Sequence, residues 1–304
     1  MAAVHPGGDP GLGTSIFIFS PRPMMLALSS PPQPRPFLKW AGGKGRLIEQ
    51  YRPHFPTTIR QYYEPFLGGG AIFFYLVGRF KQAVLADVNP ELVNVYQCVR
   101  DQVEPLIQLL EHHGHHHSHS HYYDTRAQTE LQISLQRAAR LIYLNKTCFN
   151  GLYRENSKGY FNVPMGSYKN PKICDRTTLR LASAALKSTE IQCESFDRVL
   201  KQAWHPQDFV YFDPPYYPIS ATSRFTSYNR YGFTPEDQIH LRDTFATLAE
   251  RGVQVMLSNS DCPFIHDLYQ GFHVRPIQAN RAINANARRR GKITELLITS
   301  YPPR

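Results

Sequence analysis

The 304-residue chain has 34 Lys and Arg against 24 Asp and Glu, an excess of ten basic residues. This excess suggests a polyanionic partner, most simply nucleic acid, although a general solubility charge would give the same balance. A hydrophobic fraction of 42% is ordinary for a soluble globular protein, and no stretch is long enough for a membrane-spanning run.

The five cysteines include no CxxC pair, which argues against a disulfide framework or a zinc ribbon and predicts a reducing, cytoplasmic location. Residues 1–34, where Gly, Pro and Ser are prominent, are predicted to form a disordered N-terminal arm. The apolar stretch "SIFIFSPRPMMLALSS" within them is the only candidate targeting signal. Pro21 and Pro23 interrupt it and no clear small-residue cleavage pattern follows a basic start, so we do not expect secretion.

Ordered sequence is expected to begin at "RPFLKWAGGKGRLIEQY", where a glycine turn leads into a helix from about Arg46. "IRQYYEPFLGGGAIFFYL" then predicts a strand, a glycine loop and a helix, and "QAVLADVNPELVNVYQCVR" predicts a second strand and helix. This repetition is typical of a parallel sheet covered by helices.

The glycine loop and the acid that follows it suggest a nucleotide-like ligand. Glycines between a strand and a helix allow a ligand to approach the backbone closely. Asp87 lies nineteen residues after Gly68, at the end of the second strand, where a carboxylate is suited to accept both hydroxyls of a ribose. A role for Asp87 as a helix N-cap is the alternative, and the two roles are compatible. This pair does not choose between NAD and S-adenosylmethionine.

The middle of the chain departs from the strand–helix repetition. Helical stretches such as "SLQRAARLIYLNKTCF" precede a loop-rich, basic and aromatic region, so residues 92–180 are predicted to form an inserted lobe. Within it, "EHHGHHHSHSHYYD" (111–124) holds seven histidines, but no Cys or acid stands at ligand spacing. We expect a solvated loop with adventitious metal affinity rather than a metal site, and we name no metal.

Strand signals resume after the lobe, in "STEIQCESF", "DFVYFDPPYY", "GVQVMLSNS" and "TELLITSY". Between two of them, "TPEDQIHLRDTFATLAERG" predicts a helix with Thr234 as N-cap, Pro235 at its first position, Asp237 at its third and Gly252 as its stop. Residues 35–91 and 181–304 are therefore predicted to form one α/β domain around the lobe.

The segment "FVYFDPPYYPIS" carries the clearest chemical signal. A strand ends at Asp213, and the prolines after it hold the chain in a stiff, extended turn. An exocyclic amine is a poor nucleophile because its lone pair is delocalised into the ring. The Asp213 carboxylate and the Pro214 carbonyl can accept its two N–H bonds, and Tyr216 offers a face on which an extruded base can stack. This arrangement favours a methyl donor over NAD and requires the base to leave the duplex. A plain strand-ending turn is the alternative.

The motifs "FLKWAGGK", "EPFLGGG", "LADVNPELVNVY", "NKTCFNGLYRENSKGYFNVPMGSY", "YFDPPY" and "TELLITSY" occur in the order found in one known family. From about Pro36 to Tyr301 the chain resembles the DNA adenine methylase family, the N6-adenine methyltransferases that use S-adenosylmethionine. The resemblance implies a Rossmann-like methyltransferase sheet with helices on both faces. It also implies an inserted, mainly helical DNA-recognition lobe with a β-hairpin.

The resemblance also implies the cofactor contacts. Trp40 and Lys44 help to hold S-adenosylmethionine, and Phe66 and Gly68 lie along its methionine and ribose. Phe196 lines the adenine pocket, although this chain has "CESF" where the family has Gly-Asp-Phe, so the adenine contacts differ. The complete predicted cofactor set is Trp40, Lys44, Phe66, Gly68, Asp87, Phe196 and Asp213, and the predicted catalytic set is Asp213, Pro214 and Tyr216.

The DNA contacts follow from the same resemblance. Arg154 is expected to read a base edge, as a guanidinium suits guanine O6 and N7. Leu152 is expected to touch a base, and Lys39 to read the outer base pair. The remaining positions are Phe149 and Asn150, which wedge into the stack or fill the gap left by the flipped base, and Tyr168 and Lys169, which contact phosphate. "RAINANARRRGKITELL" adds a basic segment that is either a phosphate contact or an exposed hairpin with no partner.

These observations predict a methyltransferase that acts on adenine N6 in double-stranded DNA, with GATC as the target by resemblance. We expect a monomer, no essential cysteine and no metal, and a cognate restriction endonuclease is a conceivable partner. The alternatives are a cytosine-N4 or other amino-methyltransferase with the same Asp-Pro-Pro-Tyr site, and a catalytically silent DNA-binding protein.

Overall fold

The computed structural model describes residues 1–4, 7, 32–219, 232–280 and 292–302. The chain divides into two units, residues 1–32 and 33–304, and the helices and strands of the described residues all belong to the second. Most of the N-terminal arm predicted over residues 1–34 therefore lies outside the described residues. No helix in the described ranges is both long and apolar enough to cross a membrane.

The second unit is built on a seven-stranded sheet with the order β3-β2-β1-β4-β5-β7-β6. The first five strands in this order, β3-β2-β1-β4-β5, run parallel to their neighbours, whereas β7 pairs antiparallel with both β5 and β6. The strands are β1 (Gln61–Glu64), β2 (Gln82–Ala86), β3 (Thr189–Gln192), β4 (Phe209–Phe212), β5 (Gln254–Ser260), β6 (His273–Asn280) and β7 (Lys292–Thr299).

Nine α-helices are described around this sheet, and four short 3-10 helices lie at Lys44–Arg46, Arg52–His54, Phe149–Gly151 and Phe196–Lys201. The α-helices are α1 (Ile48–Tyr51), α2 (Ala71–Leu76), α3 (Pro90–Asp101), α4 (Val103–His115), α5 (His119–Ala127), α6 (Ser134–Thr147), α7 (Arg176–Leu186), α8 (Pro235–Glu250) and α9 (Pro263–Leu268).

Side chains alternate between two hydrophobic cores, one on each face of the sheet. Tyr62 and Tyr211 belong to the core that includes α3, α6 and α7, whereas Tyr63 and Phe212 belong to the core that includes α8 and α9. All four residues of β4 are buried, as expected for a parallel strand covered on both faces. The predicted α/β class, with helices on both faces of the sheet, is confirmed.

The chain between β2 and β3 contains the five helices α3 to α7 and the segment that was predicted to read DNA. Part of this region has a third core of its own, formed by Tyr122, Tyr143, Leu144, Cys148, Leu152, Phe161, Val163 and Ile173. The predicted limits of the lobe, at residues 92 and 180, fall inside α3 and α7, and its extent stays a prediction.

The predicted β-hairpin is present only as a pair of isolated antiparallel bridges, Cys148 with Met165 and Glu155 with Phe161. The turn between the inner pair closes where the Asn156 amide donates to the Tyr160 carbonyl at 2.9 Å. The bridges do not extend into strands within the described residues.

The histidine-rich segment was expected to be a solvated loop. The loop is wrong, because its residues extend α4 and begin α5, but none of its seven histidines is fully buried. The two helices meet at Ser118, whose hydroxyl caps α5 by accepting from the His121 amide at 3.2 Å. The rings also have a packing surface, because His113 stacks on Tyr143 with 4.7 Å between ring centroids. Burial and the neighbouring imidazoles lower the pKa of His113 to about 4. Among the described residues, no group of three or more His, Cys, Asp or Glu is arranged to hold a metal ion.

The start and end of α8 are as predicted. Thr234 and Asp237 form a capping box: the Thr234 hydroxyl accepts from the Asp237 amide, and the Asp237 carboxylate accepts from the Thr234 amide. Pro235 occupies the first turn, and Gly252 follows the helix with a φ of +78°. This helix needs only local chemistry at its ends, which is why the sequence predicts it well.

Strand β6 was not predicted, because "HVRPIQAN" is polar and contains Pro276. Proline is tolerated in an edge strand, where a missing backbone N–H need not interrupt the sheet. β6 is such an edge, since it pairs only with β7 in the sheet order.

At the end of β1, the side chain of Glu64 is buried and 2% exposed. Its Oε2 atom accepts from the Tyr62 hydroxyl at 2.8 Å and from the Phe73 amide at 3.1 Å. Burial raises the pKa of Glu64 to about 8, so the carboxyl is largely protonated at neutral pH.

This raised pKa predicts a pH-dependent stability. The folded state binds the Glu64 proton more tightly than the unfolded state, so its stabilising effect is complete at low pH and is lost as the pH rises from about 4.5 to about 8. We expect the free energy of unfolding, measured with urea between pH 5 and pH 8, to fall more steeply for the wild type than for Glu64→Gln. The difference should be on the order of 1–3 kcal/mol. Parallel curves for the two proteins would contradict this prediction.

Candidate active site

A buried ion pair joins the first glycine turn to the end of β4. Lys44 Nζ lies 2.9 Å from Asp213 Oδ1 and donates to the Gly42 carbonyl at 2.8 Å. The Lys44 side chain is only 4% exposed. Burial alone would lower the pKa of Lys44, but the Asp213 carboxylate, with Tyr51 and Glu295, keeps it above its ordinary value. The sequence-predicted residues Lys44 and Asp213 are therefore brought together as a charged pair.

The Asp213 carboxylate is held from a second side by β5. Ser258 Oγ donates to Asp213 Oδ1 at 2.8 Å and itself lies 2.9 Å from the Tyr211 hydroxyl. Both contacts from described residues thus end on Oδ1. The second oxygen, Oδ2, has no partner in the described part of the chain and is available to accept a hydrogen bond from a ligand.

The turn after Asp213 is fixed by side chains of β5 and α8. Asn259 accepts from the Tyr217 amide at 3.1 Å and donates to Gln238 Oε1 at 2.9 Å. Gln238 in turn donates to the Pro215 carbonyl at 3.0 Å. No described residue donates to the carbonyl of Pro214. These hydrogen bonds hold the turn next to the Pro214 carbonyl, which was predicted to accept a hydrogen bond from an amine.

The ring of Tyr216 is held at both its face and its hydroxyl. Lys44 Nζ lies 4.6 Å from the ring centroid, and the hydroxyl donates to Glu295 Oε2 at 3.0 Å. Glu295 is 6% exposed and also accepts a short hydrogen bond from the Tyr51 hydroxyl. Burial raises the pKa of Tyr216 well above its ordinary value, so the hydroxyl remains a donor.

Several of these supporting residues were missed by the sequence analysis. Two signals were present: an acid inside the apolar strand "TELLIT", and three consecutive hydrogen-bonding residues, "SNS", at the end of β5. Neither signal shows which distant side chain it contacts. The missed residues are Tyr51, Gln238, Ser258, Asn259 and Glu295.

The glycine loop after β1 lies against Trp40 and Asp87. Gly68 has a φ of +47°, and a Cβ atom on it would lie 2.9 Å from Trp40 Cδ1, so the loop needs glycine here. The Gly68 amide donates to Asp87 Oδ2 at 3.1 Å, and the Asn89 amide donates to Asp87 Oδ1 at 3.0 Å. The alternative role of Asp87 as an N-cap is wrong, because Asn89 caps α3 instead. Burial raises the pKa of Asp87 despite these backbone donors.

Two of the predicted cofactor residues form an aromatic stack. Phe66 packs on Phe196 with 5.4 Å between centroids and an interplanar angle of 23°. The edge of Phe233 packs against Phe66 at 5.8 Å. Phe66, Asp87, Phe196 and Asp213 follow β1, β2, β3 and β4 respectively. They share the carboxyl edge of the parallel strands, where ligands bind in open α/β sheets.

Apart from Lys39, the predicted DNA-binding residues all follow the end of α6. Phe149 is 50% exposed, and Asn150 has a φ of +55°, the one positive φ among the described non-glycine residues. Arg154 is exposed and donates to Asn162 Oδ1 at 2.7 Å, and Lys169 is also exposed. Leu152 differs from these, because it is 8% exposed and packs in the core of the inserted segment.

The segment predicted to read DNA is connected directly to Lys39 and Trp40. The buried Asn145 side chain accepts from the Lys39 amide at 2.8 Å and donates to the carbonyls of Lys39 and Gly151 at 2.7 and 3.1 Å. Trp40 stacks on Tyr153 at 5.4 Å. Lys39 Nζ lies 4.0 Å from the centre of the Tyr168 ring, so these two predicted DNA contacts are neighbours. The basic segment from Arg281 to Arg290 lies outside the described residues.

Comparison with known proteins identifies the family. The family model of D12 class N6 adenine-specific DNA methyltransferases matches residues 40–283. A type II methyltransferase of Lactococcus lactis subsp. cremoris is 45% identical over 274 residues, which cover 88% of this chain and 95% of that protein. The DNA adenine methylases of Vibrio cholerae serotype O1 and Escherichia coli are 38% and 35% identical, each over 88% of this chain and 96% of the relative. The chain, with its carboxylate and aromatic residues at the carboxyl edge of the sheet, therefore belongs to the D12 class of N6 adenine-specific DNA methyltransferases and is an adenine-specific DNA methyltransferase.

Proposed function

We propose that this enzyme methylates adenine N6 in double-stranded DNA with S-adenosylmethionine as methyl donor, at GATC, after the target base has left the helix. The observation that carries the proposal is the arrangement at Asp213. Lys44 and Ser258 both hold Oδ1, while Oδ2 and the neighbouring Pro214 carbonyl have no partner among the described residues. Two acceptors next to each other match the two N–H bonds of an exocyclic amine.

The residues at the carboxyl edge of the sheet fit S-adenosylmethionine chemically. Phe66 and Phe196 provide aromatic faces for an adenine, and the Asp87 carboxylate suits a ribose diol. Asp213, directly after β4, adds a carboxylate at the same edge of the sheet. Trp40, Lys44 and Gly68 complete the set that would hold the molecule.

S-adenosylmethionine, when bound, would supply an electrophilic methyl group: the bond from adenine N6 to the methyl carbon would form in line as the sulfur–methyl bond breaks, with S-adenosylhomocysteine as the leaving group. The chain's own contribution is to orient that amine. Acceptance of its two N–H bonds by Asp213 Oδ2 and the Pro214 carbonyl localises the lone pair on nitrogen, and Tyr216 supports the base by stacking. Asp213 acts as a positioning acceptor rather than a strong base, because the amine loses its proton readily once it is methylated. No step forms a covalent bond to the protein, so none of the five free cysteines is needed.

Removal of the target base from the duplex costs about a few kcal/mol. Phe149 and Asn150, which are exposed after the end of α6, are proposed to wedge into the stack or to fill the gap that the base leaves. Lys39 and Arg154 are proposed to read base edges, Leu152 to make an apolar contact with a base, and Tyr168 and Lys169 to contact phosphate. The family match favours adenine N6 over cytosine N4 and favours an active enzyme over a silent DNA-binding protein.

The biological setting follows the same relatives. A relative named as a type II methyltransferase supports a cognate restriction endonuclease as partner, whereas relatives named as DNA adenine methylases support a role without one. We propose a monomer, because one active site suffices for one flipped base. Five free cysteines support the proposed cytoplasmic location.

The first prediction concerns Asp213. Asp213→Ala removes the acceptor and should lower the transfer of labelled methyl from S-adenosylmethionine to DNA by at least about a hundredfold. Ser258→Ala leaves the carboxylate and its ion pair with Lys44 but removes the second contact to Oδ1, and about a tenfold loss is expected, as for one hydrogen bond to a charged group. Asp243→Ala, which removes an exposed carboxylate of α8, is the matched control and should keep wild-type activity. Activity of Asp213→Ala near the wild-type rate would refute the assignment.

The second prediction concerns the target sequence. Methylated bases mapped in DNA from cells that express the enzyme, and lack other adenine methylation, should lie in GATC. Arg154→Ala should relax selection at one base pair by about 1–3 kcal/mol, because a bidentate base contact is lost. Lys169→Ala, the comparison variant, should weaken binding to all sequences alike and reduce its salt dependence. Methylation of a site without a central adenine would exclude this target.

A further inference from the structure

Glu295 is an unusual residue for its position in the sheet. It lies in β7 directly before Leu296, Leu297 and Ile298, all of which are buried in the two cores. Its backbone pairs with Ser260 of β5 on one side and with Ile277 of β6 on the other, so it is enclosed by strands. A carboxylate in such a place is costly unless its oxygens are satisfied by hydrogen bonds.

Both oxygens of Glu295 receive phenol hydroxyls. Tyr51 donates to Oε1 in a short hydrogen bond, and Tyr216 donates to Oε2 at 3.0 Å. An ionised carboxylate only accepts hydrogen bonds, and a phenol below its pKa can donate one, so the three groups are complementary. Glu295 is in this way the common acceptor for two tyrosines that flank the Lys44–Asp213 pair.

The hydrogen bond from Tyr216 to Glu295 fixes the position of the Tyr216 hydroxyl, which packing against the ring face does not fix. Lys44 covers one face of the ring, at 4.6 Å from its centre. Without an acceptor for the hydroxyl, the ring could still rotate and tilt against Lys44. With Glu295 in place, the hydroxyl is anchored at one end and the face at the other. The opposite face of the ring is then presented in a single orientation.

We propose that Glu295 is a positioning residue for methyl transfer, which acts by holding the Tyr216 ring in the orientation that receives the target base. The inference rests on the proposed function, since it assumes that a base stacks on Tyr216. It predicts that Glu295 contributes to the rate of the chemical step and little to cofactor or DNA affinity. A residue with a purely structural role would instead affect the stability of the sheet and leave the rate of folded enzyme unchanged.

The test is a double-mutant cycle on single-turnover methyl transfer, with saturating S-adenosylmethionine and a duplex with one GATC site. Glu295→Gln keeps the shape but loses the charge, and Tyr216→Phe keeps the ring but loses the donor. Each should lower the rate by about tenfold, with the apparent affinities for DNA and cofactor within about twofold of wild type. Glu295→Gln weakens this charge-assisted hydrogen bond and Tyr216→Phe removes it. Because both changes act on the same bond, the double variant should also lose about tenfold, whereas independent effects would multiply to about a hundredfold.

Tyr269→Phe is the matched control. Tyr269 is fully buried, and its hydroxyl has no hydrogen-bond partner in the described part of the chain. Loss of this hydroxyl should leave the rate unchanged. A second readout uses 2-aminopurine in place of the target adenine. Relative to the wild-type complex, its fluorescence in the bound complex should change in the same direction in Glu295→Gln and Tyr216→Phe.

Multiplying effects, or a folded Glu295→Gln variant with the wild-type rate, would overturn the inference. Should Glu295→Gln fail to fold, Tyr216→Phe alone decides, because the inference requires its rate to fall although the ring remains. Wild-type enzyme that transfers no methyl group to adenine N6 would refute the proposed function. Active wild type combined with independent variants would refute the role of Glu295 alone.

Discussion

The ion pair between Lys44 and Asp213 joins two parts of the chain that are far apart in sequence, the glycine turn ahead of β1 and the turn that follows β4. The lysine is almost fully buried and the carboxylate is partly exposed, so loss of Asp213 would leave an uncompensated buried charge. Every other feature of the site is defined relative to this pair. Ser258 orients the carboxylate, Tyr216 lies against the ammonium group, and the glycine turn carries Trp40 to its place against Gly68.

The segment assigned to DNA recognition is fixed to the same frame through Asn145. This one buried amide bonds to both backbone groups of Lys39 and to the carbonyl of Gly151. A displacement of the segment assigned to DNA recognition would therefore disturb the hydrogen bonds of Lys39, the residue next to Trp40. The Trp40–Tyr153 stack is a second connection between the two regions.

The sequence was sufficient wherever the determining chemistry is local. Strand–loop–helix repetition indicates the parallel sheet, and the ends of α8 are specified by Thr234 and Gly252. Asp213 could be identified because its neighbours in sequence include the proline turn and Tyr216. Contacts between residues far apart in the chain could not be predicted. Nothing adjacent to Glu295 in the chain indicates that two tyrosines, 244 and 79 residues away, need its oxygens. The histidine-rich helices were missed for a similar reason, since the packing surface for their rings is Tyr143 of α6.

The position of β7 in the sheet has a consequence for how the active site is assembled. β7 is the last strand along the chain, yet it lies between β5 and β6, and it delivers Glu295 to the side chain of Tyr216. Because ribosomes make proteins from the amino terminus, the turn after Asp213 emerges well before the strand that anchors its tyrosine. On the proposed role of Glu295, the Tyr216 ring is anchored only once β7 has paired with β5 and β6.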